Sequence, residues 1–325
     1  MNLFPLATLG RRALLLTALA AAGTLAHAQG DKPVRVIVPL TTGSTVDTLA
    51  RALSPPLARA LGQPVVVENI AGAGGVSGTA QLVRAPKDGQ TLALVSSNHV
   101  INPAIYKSMP FDTLKDITPI TVVGTVPLVL VATNALPVKS LKDLVAYAKA
   151  NPGKVDYGSA GNGSVLHLAA ELLKSEGGIF LTHIPYKGTG PLTTDLIGGQ
   201  IHLAFLSVTA AAPHVKAGRL KALGVSTTQR SQVLPEVPTL AEAGLPGYSF
   251  DAWIALIGPA GLPKAQVQKL YQDVKATLAQ KEVQDIMAAQ GIAPVGSPPE
   301  SAEPFFKAEL AKHADLVRRS GAVKD

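Results

Sequence analysis

The sequence predicts an α/β protein of two lobes, each on a mainly parallel sheet, joined by two crossing strands with a ligand cleft between them. Three observations carry this. Apolar runs of strand length alternate with helical patterns along most of the chain. The alternation falls into two series, separated by consecutive apolar stretches at 120–124 and 128–132. The last segment, after the apolar run Asp251-Ala-Trp-Ile-Ala-Leu-Ile-Gly258, is helical with no series of its own, so it is expected to pack back on the first unit.

The elements follow in order. Val34-Arg-Val-Ile-Val-Pro-Leu40 reads as a buried strand, and a helical pattern covers 45–61. A strand at 65–68 runs into the glycine turn Gly72-Ala-Gly-Gly75, followed by a helix over 76–84 and a strand at 91–95. In the second series Ser140 with Asp143 resembles a capping box for a helix ending at Ala150, stopped by Asn151-Pro152-Gly153. Strands are expected near 155–158, 182–185, 202–206 and 222–225, with helices at 164–175, 191–197 and 209–217 between them. Helices at 264–280, 283–290 and 301–319 complete the chain. The lobes are expected to divide as 29–124 plus 254–325 and 125–253.

Composition narrows the function. A length of 325 residues suits about two domains, and 47% hydrophobic against 16% charged residues suits buried cores. With no cysteine, a disulfide framework, a thiolate nucleophile and any Cys-ligated metal are excluded. The net charge of +7 is spread along the chain, without the basic clusters and interleaved aromatics of a nucleic-acid groove. At the N-terminus, Arg11 and Arg12, a short apolar run at 13–22 and Ala26-His27-Ala28 have the layout of a secretory signal peptide over 1–28. That run is too short to span ~30 Å of hydrocarbon, which takes ~20 residues. An exported protein cleaved after Ala28 is expected.

The chemistry is concentrated in four polar turns at strand ends: Thr41-Thr-Gly-Ser-Thr45, Gly72-Ala-Gly-Gly75, Ser96-Ser-Asn98 and Ser159-Ala-Gly-Asn-Gly-Ser164. Ligands of open α/β sheets settle at the carboxyl ends of strands. Helix N-termini there bind anions through free N–H groups, and Ser and Thr add adaptable donors. A small carboxylate fits this set. No dinucleotide fingerprint, Walker lysine loop, nucleophile elbow or zinc helix is present, so no catalytic residue, cofactor or metal is assigned. His167 with Glu171 and Asp47 with Arg51 are i, i+4 pairs that suit structural roles on helices.

The sequence resembles the Bug family of periplasmic receptors of tripartite tricarboxylate transporters. The matching pieces include Val36-Ile-Val-Pro-Leu40 with Asp47 and Arg51, Glu68-Asn69 before Gly72, Ala85-Pro-Lys-Asp-Gly89 and Tyr157-Gly-Ser-Ala-Gly-Asn-Gly-Ser164 with His167 and Glu171. Ile184-Pro-Tyr-Lys-Gly188, Asp195-Leu-Ile-Gly-Gly-Gln200 and Val237-Pro-Thr-Leu-Ala-Glu-Ala-Gly-Leu-Pro-Gly247 extend the match over nearly the whole mature chain. The resemblance implies a type II periplasmic binding fold closing on its ligand by hinge motion, acting as a monomer with the membrane subunits of such a transporter. It implies ligand contacts from Thr41, Thr42, Gly43, Ser44, Ala73, Gly74, Ser97 and Asn98, faced by Ser159, Gly161, Ser164, His167 and Ser207 or Asp251. One departure stands out: Leu40-Thr41-Thr42-Gly43-Ser44 replaces the family's usual aromatic and Pro-Gly-Gly turn, and the added side-chain hydroxyls imply a more polar or differently shaped ligand head. A sensor subunit for a membrane kinase and a secreted enzyme using His167, Glu171 and Asp251 are the rival readings.

Overall fold

The first helix shows how the sequence makes its elements. Val46, Leu49, Ala50, Leu53 and Leu57 recur at helical spacing and are all buried. Burying such side chains contributes roughly 1.5–3 kcal/mol each, enough to carry the helix through Pro55 and Pro56, which cost about 3 kcal/mol in a helix interior. Ser44 begins it by accepting the Asp47 N–H, and Gly62 ends it at φ 68°.

The computed structural model describes residues 32–320. Its elements are β1 (Val34–Val38), α1 (Thr45–Leu61), β2 (Val65–Asn69), a 3-10 turn (Ala73–Gly75), α2 (Val76–Leu82), β3 (Thr91–Ser96), α3 (Asn98–Ile105), β4 (Ile117–Val126) and β5 (Leu128–Thr133). They continue with α4 (Leu141–Ala150), β6 (Asp156–Ser159), α5 (Val165–Gly177), β7 (Thr182–Pro185), α6 (Thr189–Ile197), β8 (Leu203–Ser207), α7 (Val208–Lys216) and β9 (Leu220–Val225). Last come β10 (Ala252–Pro259), α8 (Lys264–Leu278), α9 (Lys281–Ala289), β11 (Ala293–Pro294) and α10 (Pro299–Ser320). The expected leader lies outside the described residues. Among the described residues no helix is long and apolar enough to cross a membrane.

The strands form two sheets, in the orders β11-β4-β10-β3-β1-β2 and β7-β6-β8-β5-β9. The fold is a two-lobe α/β fold, but the sheets are mixed. β1 runs parallel to β2 and β3, and β6 parallel to β7 and β8. β10 is antiparallel to both β3 and β4, and β5 to both β8 and β9. β5 and β10 are the strands by which the chain enters each sheet from the other one, and a strand arriving from outside a sheet is not required to run parallel to its neighbours. The chain leaves the first sheet at Val126, passes Pro127 into β5, and returns between Phe250 and Ala252, where Ala252 pairs with Val126.

Two helices belong to both cores. In α10, Phe306 packs with Trp253 in the core of the first sheet, while Leu316 and Val317 join the core of the second. The tail therefore packs back on the first unit only in its earlier part. In α3, Val100 joins the first core, and Ile101 and Ile105 join the second.

Candidate functional site

In the first sheet β1 lies between β2 and β3, so the chain leaves β1 toward one side and later returns on the other. In the second sheet β6 lies between β7 and β8 in the same way. The carboxyl ends of β1 and β6 are thus topological switch points, where open α/β sheets hold ligands. The turns at 40–44 and 159–164 sit there, and α3 joins their surroundings. It starts at Asn98, beside the first turn, and an added Cβ at Gly163 in the second would lie 2.5 Å from Ile105 Cδ1 at its other end. Eight residues of helix span about 12 Å, the scale of a small organic acid with its contacts.

The first turn is held from below by Asp47. Its Oδ2 accepts the Gly43 N–H at 2.8 Å, and its Oδ1 accepts Arg51 Nε and Asn69 Nδ2, each at 3.0 Å. Asn69 also donates to the Leu40 carbonyl and accepts Arg51 Nη2. Burial pushes the Asp47 carboxyl up, but these hydrogen bonds and the Arg51 charge together hold it below the usual carboxylate value. Asp47 and Arg51 are therefore structural, as their spacing suggests.

The neighbouring turn is strained. Ala73 has φ 46°, followed by Gly74 at 64°. Asn102 Nδ2 grips the Gly74 carbonyl at 3.0 Å from α3. Gly74 and Gly75, Pro39 and Leu40, and Ser96, Asn98, His99 and Asn102 line one hollow of about 190 Å³. His99 and Asn102 were not singled out by the sequence. His99 donates through Nε2 to the Thr113 carbonyl at 2.9 Å, and burial pushes its pKa down to about 4, so it stays neutral. Ser97 begins α3, with its N–H on the Trp253 carbonyl and its hydroxyl buried without a partner. A second hollow lies under α1, lined by Val36, Leu53, Leu94 and other core side chains; it is a narrow packing gap, away from the polar turns.

A family described as the tripartite tricarboxylate transporter family receptor matches residues 49–322. The chain belongs to this receptor family. It is 38% identical to the protein BugT of Bordetella pertussis over 310 residues, 94% of this chain and 95% of that one. The R. palustris protein Rpa4515, solved with adipate, is 34% identical with a TM-score of 0.76, covering 89% of this chain and 97% of its own. MatC from Rhodopseudomonas palustris, solved with bound malate, is 31% identical with a TM-score of 0.73, covering 88% and 98%.

In this receptor the second turn shows which expected residues reach the surface. Ser164 begins α5 and Ser207 begins α7, their hydroxyls accepting the N–H groups of His167 and Ala210. Ser44 does the same for α1. Each hydroxyl accepts through a lone pair and keeps its own proton to donate. Thr41, Thr42 and Gly43 are exposed, and Gly161 is half-buried. Three expected ligand contacts lie elsewhere. Ser159 is fully buried, with its hydroxyl 2.6 Å from His183 Nε2. His167 is 3% exposed, its Nδ1 accepting the Gly163 N–H at 3.1 Å. Asp251 sits where the chain returns to the first sheet, with Lys312 and Glu309 of α10 as its charged neighbours. Its pKa is pushed up to about 6, by burial first and by Glu309, against the pull of Lys312. His167 and Glu171 approach to 3.7 Å, but Asp251 keeps different company, so the trio of the enzyme reading is not assembled. Among the described residues no cluster suits a metal ion. Asn162, missed by the sequence reading, is the exposed residue at the tip of the second turn, and its side chain makes no hydrogen bond among the described residues.

Proposed function

We propose that this receptor captures a small organic dicarboxylate in the periplasm by hinge closure and delivers it, unchanged, to the membrane subunits of a tripartite tricarboxylate transporter. The lobes divide as 29–124 plus 254–325 and 125–253, and the protein works as a monomer after loss of residues 1–28. One carboxylate sits on the first lobe, at the N–H groups of Thr41 and Thr42, the hydroxyls of Thr41, Thr42 and Ser44, the Ala73–Gly74 turn and Asn98; Ser97, whose N–H is on the Trp253 carbonyl and whose hydroxyl is buried, supports the start of α3 instead. Asn162, Ser164 and Ser207 receive the far end, with Gly161 shaping the turn between them.

The observation that carries this is the placement of both polar turns at the switch points of their sheets, at opposite ends of α3. Serine hydroxyls at three helix starts add donors where the helix dipole favours an anion. Ligands of two lengths, adipate and malate, occupy the related proteins. Micromolar affinity corresponds to about −8.2 kcal/mol. Hydrogen bonds to a charged group contribute roughly 1.5–3 kcal/mol each, so about three to five contacts suffice. Titration calorimetry of the unliganded protein with C4 to C6 dicarboxylates, aromatic acids and acidic amino acids is expected to give micromolar binding to at least one dicarboxylate. Binding of none of them by folded protein would overturn the reading, and turnover of the bound acid would replace it with the enzyme.

A further inference from the structure

Beneath the second turn lies a buried column of polar groups that ligand capture itself does not use. His167 from α5 and His183 from β7 stack with ring centroids 4.0 Å apart and planes at 8°. Tyr157 of β6 stacks on His183 at 4.9 Å, and its hydroxyl donates to Glu171 Oε1 at 2.5 Å. Lys174 Nζ donates to both Glu171 oxygens, at 2.7 and 2.9 Å. The carboxylate and the ammonium balance each other, which leaves the two rings neutral.

Both rings are tied to the turn. The Gly163 N–H can only donate, so His167 Nδ1 carries a lone pair and its ring proton is on Nε2, toward Glu171. The Gly161 N–H donates to Ser159 Oγ at 3.1 Å, and that oxygen shares a proton with His183 Nε2 at 2.6 Å. We propose that His167 and His183 are positioning residues, which hold the 159–164 turn in its ligand-receiving shape by pinning the Gly161 and Gly163 amides from below. With those two N–H groups turned inward, the turn presents Asn162 and the Ser164 hydroxyl outward. A turn already in its bound shape loses less freedom on binding.

The groups facing the rings favour the neutral form of both. Burial lowers the pKa of His167 to about 3, helped by the neighbouring His183 and by Lys174. Burial likewise lowers that of His183, against the pull of Glu171 and with Lys174 adding to the effect. A proton on either ring would remove an acceptor and set a second cation beside Lys174.

The inference rests on the proposed site only for its effect on affinity, and two variants of the mature protein separate the two. His167→Phe keeps the stacked ring and removes the acceptor; His167→Asn places Oδ1 where Nδ1 was. Amide hydrogen exchange without ligand is expected to speed up about 10-fold or more at Gly163 in H167F and to return close to wild type in H167N. Ser159→Ala, a smaller change, is expected to release Gly161 and leave Gly163 protected. Malate or adipate affinity, whichever the wild type binds, is expected to fall about 10-fold in H167F and to recover in H167N. Equal exchange at Gly163 in H167F and H167N would overturn the positioning role. Faster exchange with unchanged affinity would overturn its link to binding. Wild type that binds no dicarboxylate would count against the site alone, since the exchange result stands without ligand.

Discussion

The two polar turns at the switch points are built on one local pattern with different acceptors. In the first lobe Gly43-Ser44 leads into a helix whose third residue is Asp47; in the second Gly163-Ser164 leads to His167 in the same position. In each, the serine oxygen accepts the N–H of that third residue, whose side chain accepts the glycine N–H four residues back. This is a capping box shifted by one residue. The third example, Lys139-Ser140 with Asp143 at α4, has the same bonds on an exposed surface away from either switch point. The box is therefore a general way to start a helix, and its place in the topology makes it part of a site. The difference lies in charge: the first lobe uses a carboxylate braced by Arg51 and Asn69, the second a neutral ring braced by another ring.

The largest expected effect comes from breaking the charged version. Asp47→Ala removes the acceptor of Gly43 and strips Arg51 and Asn69 of their partner. Denaturant melts should show a loss of about 3 kcal/mol, because the Gly43 N–H and the Asn69 amide are both left without their acceptor. Ligand affinity should fall with it.

A smaller contrast separates the two glycines. Gly43→Ala meets nothing within 4 Å and bears only its φ of 82°, a cost of about 1 kcal/mol. Gly163→Ala, at φ 70°, also drives its Cβ to 2.5 Å from Ile105, so about 1–3 kcal/mol is added. Equal melting shifts for the two would mean that α3 does not abut the second turn.

At neutral pH the smallest effect is electrostatic, and it emerges only as the pH is lowered. His167, lowered from 6.5 to about 3, is neutral when folded and protonated when unfolded between those values, so its contribution declines as pH falls from 6.5 toward 3. Asp251, raised from 3.8 to about 6, has the opposite sign: the folded state holds the extra proton, and stability is lost as pH rises through that window. Melting temperatures from pH 3.5 to 7 should therefore rise less steeply with pH in H167N, and should fall less or rise more in Asp251→Asn. Identical profiles for both variants and wild type would remove the electrostatic half of the comparison.

Much of this was legible in the chain. α1 was expected over its observed span because its apolar stripe, Ser44 and Gly62 agree with one another. The four polar turns were visible as glycine and hydroxyl clusters. The helix that relates them was not: Asn98-His-Val-Ile-Asn-Pro-Ala-Ile105 contains two Asn, three β-branched residues and Pro103, all poor helix formers, and it forms because Val100, Ile101 and Ile105 are buried. His167 was misplaced for a related reason. Its spacing with Glu171 suited a structural role on the helix while the resemblance implied a ligand contact, and its box with Gly163 shows that it faces inward. The signal was present, since Gly43-Ser44 with Asp47 spells the same spacing, but one lobe has to be laid beside the other to see it.

α10 gives the molecule a third tie beyond Pro127 and Asp251. Its early part is rooted through Phe306 and its end through Leu316 and Val317, with Arg319 Nη1 on Ser175 Oγ at 2.6 Å. A body joined by two adjacent ribbons is free to swing and to twist. One also strapped by a rod rooted at both ends resists the twist, so under the proposed closure the jaws would meet in one register.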